Sequence, residues 1–301
     1  MAKNVRETIK SLTRDHLEKG GRCFGQCLTA VGWVGGTLPE LYEEDGMVEF
    51  SMADVAGGAI ATGIALAGER PIYVVRYQGF QWYNAPSIVN YAAKSKEIWG
   101  IPCPIFVRSI GMEGGIGPVA GSSHHSMFDR MPGMKIASPM TPLEYEHVYS
   151  EFMKDDVPYY VSEHRKSYDN TEEMQDEIFS DADFVLFPIS VTRFAALEAK
   201  KRLQEMGYKI SIVHQLWIKP LMSKDKSTAA LSSSKFGGLV IDDDYEQGVA
   251  TSVAHQLIMS SGKIVGALGL EHRTAGFHPS VDVLPPNAEQ IVRKCLEFMK
   301  A

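Results

Sequence analysis

Apolar positions recur along this chain with two spacings. Near the start, Val5, Ile9, Leu12 and Leu17 fall about a helical turn apart, and Gly20-Gly21 stops the pattern, which predicts an opening helix. Short apolar runs then alternate with stretches of helical periodicity. MVEF (47–50), PIYVVR (71–76), PIFVRS (104–109), KIASP (135–139) and PYYVSEH (158–164) read as strands, and about 54–68, 84–98 and 141–154 as helices. Strands alternating with helices of this length predict an α/β fold with a parallel sheet covered on both faces. A polar stretch, RKSYDNTEEMQDEIFSD (165–181), lacks apolar periodicity and reads as a connection. The alternation then restarts. FVLFPI (184–189), KISIVHQL (209–216), GGLVIDDD (237–244) and KIVGALGL (263–270) read as strands, and 193–206, 248–260 and a segment from about 287 as helices. The expected organisation is two doubly wound α/β domains, 1–168 and 183–301, with a linker at 169–182.

Composition narrows the class. A chain of 301 residues with 45% hydrophobic content can fill two cores. A net charge of -7 with no basic block argues against nucleic-acid binding. The N-terminus mixes acids and bases without a signal-peptide pattern, and the longest apolar run, 55–68, is too short for a bilayer. A soluble, cytoplasmic protein is therefore expected, with no membrane partner. The four cysteines are Cys23, Cys27, Cys103 and Cys295. Three residues separate the first two, which suits neither a thioredoxin-type pair nor a zinc knuckle, so free thiols are expected.

Three stretches carry candidate chemistry. In SMADVAGGAIATGIALAG (51–68) a single carboxylate, Asp54, stands ahead of glycines, alanines and aliphatics. Its ordinary reading is a capped, tightly packed helix, since acids are favoured in a first turn; its functional reading is a catalytic acid in apolar surroundings. YQGFQWYN (77–84) places aromatics and amides just after a strand, where open α/β sheets bind ligands; ordinary packing is the alternative. IGMEGGIGPVAGSSHHSMFDRMPG (110–133) is a long glycine- and serine-rich loop that does not match the phosphate-loop pattern. His124 and His125 are adjacent, so they do not suit a shared metal; one of them could serve as a proton or hydrogen-bond donor.

These pieces, in this order, resemble the beta subunit of the thiamine-diphosphate-dependent component of 2-oxo acid dehydrogenase complexes, within the transketolase-like family. SMADVAGGAIATGIALAGERPI, GFQWYN with IVNYAAK, GSSHHSMFDRMPGMKIASP, VHQLWIKPL and RTAGFHP with LPPNAEQI carry the likeness over nearly the whole chain. The resemblance implies a pyrimidine-binding domain followed by a transketolase C-terminal-type domain. It implies thiamine diphosphate and Mg²⁺, with the metal and diphosphate held mainly by an alpha subunit, because this chain has no Gly-Asp-Gly. An α2β2 heterotetramer is expected, and a lipoyl acyltransferase core is a further expected partner. No metal ligand is expected on this chain.

Residue by residue, the resemblance makes Asp54 the acid that hydrogen-bonds the cofactor's aminopyrimidine, Phe80 the aromatic stacked on it, and Met52 the donor of a backbone carbonyl. Tyr83 is expected beside the ring and His125 near the substrate channel. Two departures stand out. The family carries glutamate where this chain has Asp54, which is one methylene, roughly 1.3 Å, shorter. A shift of about 1 Å can cost on the order of 100-fold in rate; a compensating backbone is expected. Arg76 replaces an apolar residue; it either binds an anionic substrate group or points away from the site, and the second is expected. Other readings are the C-terminal half of a split transketolase acting on sugar phosphates, an acyloin-forming or sulfonate-processing relative, and a non-catalytic assembly or regulatory subunit.

Overall fold

The computed structural model describes residues 3–112, 122–273 and 284–300. The chain divides into two compact units, one running to Met112 and again from Ser123 to Glu173, the other holding the chain from Met174 onward. Both are α/β, with parallel sheets.

In the first unit the strands are β1 (Cys23–Gln26), β2 (Met47–Phe50), β3 (Ile72–Val75), β4 (Phe106–Gly111), β5 (Lys135–Ala137) and β6 (Tyr159–His164). They lie in the order β2-β1-β3-β4-β6-β5, every pair parallel. The helical elements are α1 (Val5–Glu18), a left-handed turn α2 (Gly32–Gly36), α3 (Asp54–Leu66), α4 (Gln81–Ser87), α5 (Ala93–Trp99), α6 (Ser126–Asp129) and α7 (Pro142–Phe152). β3, β4 and β6 are buried along their whole length, as strands covered on both faces must be. Parallel pairing brings all the carboxyl ends to one edge, where β3 ends at Val75, β4 at Gly111 and β6 at His164.

The small residues of α3 have a specific use. A Cβ on Gly58 would stand 2.2 Å from the Asn84 carbonyl oxygen, and one on Gly57 would stand 2.5 Å from the Tyr73 hydroxyl. Only glycine lets α4 and β3 come this close to α3.

Two charges cross the interior of this unit. Arg108 on β4 donates to both carboxylate oxygens of Glu163 on β6, at 2.7 and 3.0 Å, and also to Thr37 Oγ1 at 3.1 Å. Tyr145 and Tyr168 donate their hydroxyls to the same carboxylate at 2.7 and 2.8 Å. Burial opposes the Arg108 charge, but Glu163 more than restores it and holds the guanidinium pKa above its ordinary value.

The second unit contains β7 (Phe184–Pro188), β8 (Ile210–Ile212), β9 (Trp217–Lys219), β10 (Gly238–Tyr245) and β11 (Val265–Leu270), with α8 (Thr192–Glu205), α9 (Lys224–Ser232), α10 (Val249–Ser261) and α11 (Ala288–Lys300). Four of these strands form a parallel sheet, β11-β10-β7-β8, and Phe184, Leu186, Ile210, Leu239 and Ile291 lie in its core. Asp242, Asp243 and Asp244 are buried near the end of β10.

Several boundaries differ from the sequence pattern. The helix expected at 84–98 begins at Gln81 and contains a π turn at Ile88–Ala92 between α4 and α5. Pro86, which has no N–H to donate, lies just ahead of that turn. KISIVHQL forms a regular strand only over Ile210–Ile212, although the Val213 and Gln215 amides still donate to Leu186 and Pro188 of β7 while the His214 amide, on the outer side, donates to the Asp176 carboxylate at 2.7 Å. The polar stretch after β6 opens on a 3₁₀ turn, Arg165–Ser167, and Tyr168 is buried. All four thiols are free; burial pushes those of Cys23, Cys103 and Cys295 up to about 12.

Candidate functional site

At the carboxyl edge of the first sheet lies a cavity of about 190 Å³ lined by Gln26, Cys27, Met52, Asp54, Phe80 and the β3 segment Tyr73–Tyr77. At roughly 30 Å³ per water, that is room for a small heterocycle. Each wall comes from a separate element. Gln26 ends β1, Asp54 opens α3, and Phe80 closes the 3₁₀ turn Gln78–Phe80 that runs from β3 into α4.

Asp54 is the first residue of α3, and Ala53 occupies the cap position, where no side chain caps the helix. The carboxylate is thus not used as a cap, although it stands in the first turn, where acids are favoured. Desolvation raises its pKa, partly offset by the Gln26 amide and by its own backbone N–H. The Gln26 amide nitrogen is buried and makes no hydrogen bond of ordinary geometry, although it lies close enough to Asp54 to favour the carboxylate. Phe80 meets Tyr77 edge-on, with ring centroids 5.7 Å apart. An amide donor, a carboxyl group whose pKa is raised by desolvation and an aromatic side chain fit a flat ring with a hydrogen-bonding edge.

The cavity brings together Met52, Asp54, Phe80 and Arg76. Tyr83 does not line it; one turn beyond Phe80, it is 51% exposed. The expectation that Arg76 points away is corrected, since Arg76 follows β3 directly and lines the cavity. His125 is buried outside the lining, with Nδ1 3.0 Å from Ser162 Oγ. His124 meets Trp82 edge-on at 6.3 Å instead, so the two histidines do face different surroundings. The part of the loop at 113–121, and the tail motif from 274, lie outside the described residues.

A buried amide ties these loops together. Gln78, two residues before Phe80, donates to Ser162 Oγ at 2.8 Å. Its carbonyl oxygen accepts from Tyr160 Oη at 2.9 Å and from the His124 backbone N–H at 2.7 Å. Ser162 is also the partner of His125, so one network fixes the Phe80 and His125 loops relative to each other. Sequence reading missed Gln26, Cys27 and Gln78.

A family profile described as "Transketolase, pyrimidine binding domain" matches residues 20–171. Among curated proteins, the chain is 26% identical to the 2-oxoisovalerate dehydrogenase subunit beta of Bacillus subtilis, over 97% of this chain and 98% of that one. It is 27% identical to the acetoin:2,6-dichlorophenolindophenol oxidoreductase subunit beta of Cupriavidus necator, over 90% and 86%. It is 21% identical to the pyruvate dehydrogenase E1 component subunit beta of Staphylococcus aureus, over 87% and 86%. A solved structure titled "Split gene transketolase, inactive beta4 tetramer" shares the fold, with a TM-score of 0.73 at 13% identity over 100% of this chain and 99% of that one.

Proposed function

The chain belongs to the transketolase pyrimidine-binding-domain family, and from that premise we propose that it is the beta-type subunit of a thiamine-diphosphate-dependent enzyme that cleaves a 2-oxo acid and passes the acyl unit to an acceptor. The observation that carries this reading is the meeting of Asp54, Gln26 and Phe80 in one cavity at the carboxyl edge of the sheet. The relatives described as dehydrogenase beta subunits, matched over most of their lengths, support it.

In this reading Phe80 stacks on the aminopyrimidine ring, the Met52 backbone carbonyl accepts from its amino group, and Asp54 hydrogen-bonds a ring nitrogen. Bound thiamine diphosphate supplies an electron sink when the substrate's carboxylate leaves. Desolvation raises the Asp54 pKa above the ordinary carboxylate value, which suits its carboxyl oxygen to exchanging a proton with the ring nitrogen. His125, oriented through Ser162, serves as the hydrogen-bond donor on the substrate side. The diphosphate and Mg²⁺ fall to an alpha-type partner in the expected α2β2 assembly. Large apolar side chains exposed on and beside α3 and α4, among them Val55, Ile60 and Trp82, support burial by another chain.

The test begins with purification of the tagged chain from its native lysate. A co-purifying chain with Gly-Asp-Gly and a downstream Asn is expected, and the pair should release CO₂ from a 2-oxo acid only with thiamine diphosphate and Mg²⁺. Turnover of a ketose phosphate instead would replace this reading with the transketolase one. Phe80→Ala in the same complex is expected to weaken cofactor binding roughly 10-fold, as loss of one aromatic stack of about 1 kcal/mol or more plus its buried area implies. Calorimetric titration of thiamine diphosphate measures this, and unchanged affinity would remove Phe80 from the site.

A further inference from the structure

Arg76 is one of the residues that line the cavity, and the proposed chemistry leaves its charge unused. Its Nε is buried without a hydrogen-bond partner, and a terminal nitrogen reaches the Tyr77 hydroxyl at 3.3 Å. Among the described residues no carboxylate forms an ion pair with it. Arg108, fully buried where Arg76 is half-buried, sits in register with Val74 on the neighbouring strand and is paired through two hydrogen bonds to Glu163. Removing a guanidinium from water is costly unless an anion compensates it. Arg108 has its anion within the fold, and Arg76 does not.

Arg165 repeats the pattern. It begins the 3₁₀ turn after β6, and its guanidinium lies 5.6 Å from the centre of the Tyr77 ring, while that of Arg76 lies 5.1 Å from the same centre. Among the described residues Arg165 also has no ion-pair partner. Two like charges held on one ring repel each other unless an anion joins them. Among the described residues Asp54, which lines the same cavity, forms no ion pair with either arginine.

We propose that Arg76, with Arg165, forms an anion subsite at the cavity that binds an oxyanion group of the substrate. The guanidinium fork suits a carboxylate or another oxyanion. That oxyanion is either the carboxylate of the 2-oxo acid itself or a second anionic group on its side chain. This substrate assignment rests on the function proposed above, whereas anion binding by the chain stands without it.

Two experiments test the subsite. In the first, 2-oxoglutarate is titrated into the full chain alone by calorimetry. Wild type is expected to bind with an affinity that falls as salt rises. Arg76→Met should weaken binding roughly 10-fold or more, Arg165→Met several-fold, and Arg76→Lys by an intermediate amount, because lysine keeps the charge without the fork. Lys154→Met removes an exposed cation elsewhere and is expected to bind as wild type does. Equal binding by Arg76→Met and Lys154→Met, or no binding by wild type, would overturn the subsite. In the second, KM is measured on the reconstituted complex with 2-oxobutanoate and 2-oxoglutarate. A rise in Arg76→Met for both substrates identifies the shared carboxylate as the ligand; a rise for 2-oxoglutarate alone identifies the side-chain anion. Unchanged KM for both overturns the subsite and leaves the enzyme reading intact. A complex without thiamine-dependent turnover removes the enzyme reading, and the calorimetry still decides the subsite.

Discussion

Replacing Asp54 by alanine is expected to lower turnover of the reconstituted complex by roughly 10²–10⁴-fold, the range for a positioned proton-transfer group. Asp54 lines the cavity, does not cap α3, and has its pKa raised by desolvation against the pull of Gln26. A raised pKa keeps the carboxyl protonated to higher pH than usual, so activity that needs that proton falls as pH rises through the folded-state value. Stability has the same sign. Between the unfolded and the raised folded pKa the native chain holds the extra proton, so this residue's contribution to stability declines as pH rises through that window. Asp54→Asn should remove both dependences, as read from the pH profiles of turnover and of denaturant midpoint. Full turnover in Asp54→Ala with cofactor still bound would remove Asp54 from the catalytic machinery.

Glu163→Ala is expected to destabilise the protein by about 3–5 kcal/mol, because it leaves a buried guanidinium without its anion. The side chains of Arg108 and Glu163 are 1% and 2% exposed, so water cannot take over the lost bonds. Tyr145 and Tyr168 would lose their acceptor as well. Guanidinium denaturation followed by intrinsic fluorescence measures the loss in the transition that reports the first unit. The double variant Arg108→Met/Glu163→Met should recover most of it, since removing both charges leaves none uncompensated. A single variant as stable as wild type would show that this pair does not hold the sheet together.

Much of this fold was legible because its strands are apolar runs set between helices of ordinary length. β3, β4, β6, β7, β10 and β11 all stand where such runs predict strands. β1 was not legible: four residues that include a glycine, CFGQ, leave no alternation to read, and the flanking cysteines draw attention to spacing instead. Gln26 and Cys27 were therefore missed as cavity walls. Asp54 and Phe80 stood out because a lone acid before small residues, and an aromatic just past a strand, are local signals. The Gln78 network was hidden for the opposite reason. Its members, Gln78, His125 and Ser162, are far apart in sequence, and only strand order brings them together. Arg76 shows a further limit. A single charge after a strand carries no sign of which way it turns, and here Arg76 is among the residues that line the cavity.

The Arg108–Glu163 pair also sets a clock on synthesis. Fifty-five residues separate its members. At about 5–20 residues per second, the ribosome places Arg108 several seconds before its counter-ion exists, and Tyr168 follows later still. During that interval β4 cannot bury its guanidinium without cost, so the growing chain has reason to keep this strand in water. The first sheet closes only after β6 has left the exit tunnel, and a pause in translation between β4 and β6 would lengthen the exposure of the apolar β3–β4 edge to chaperones and proteases.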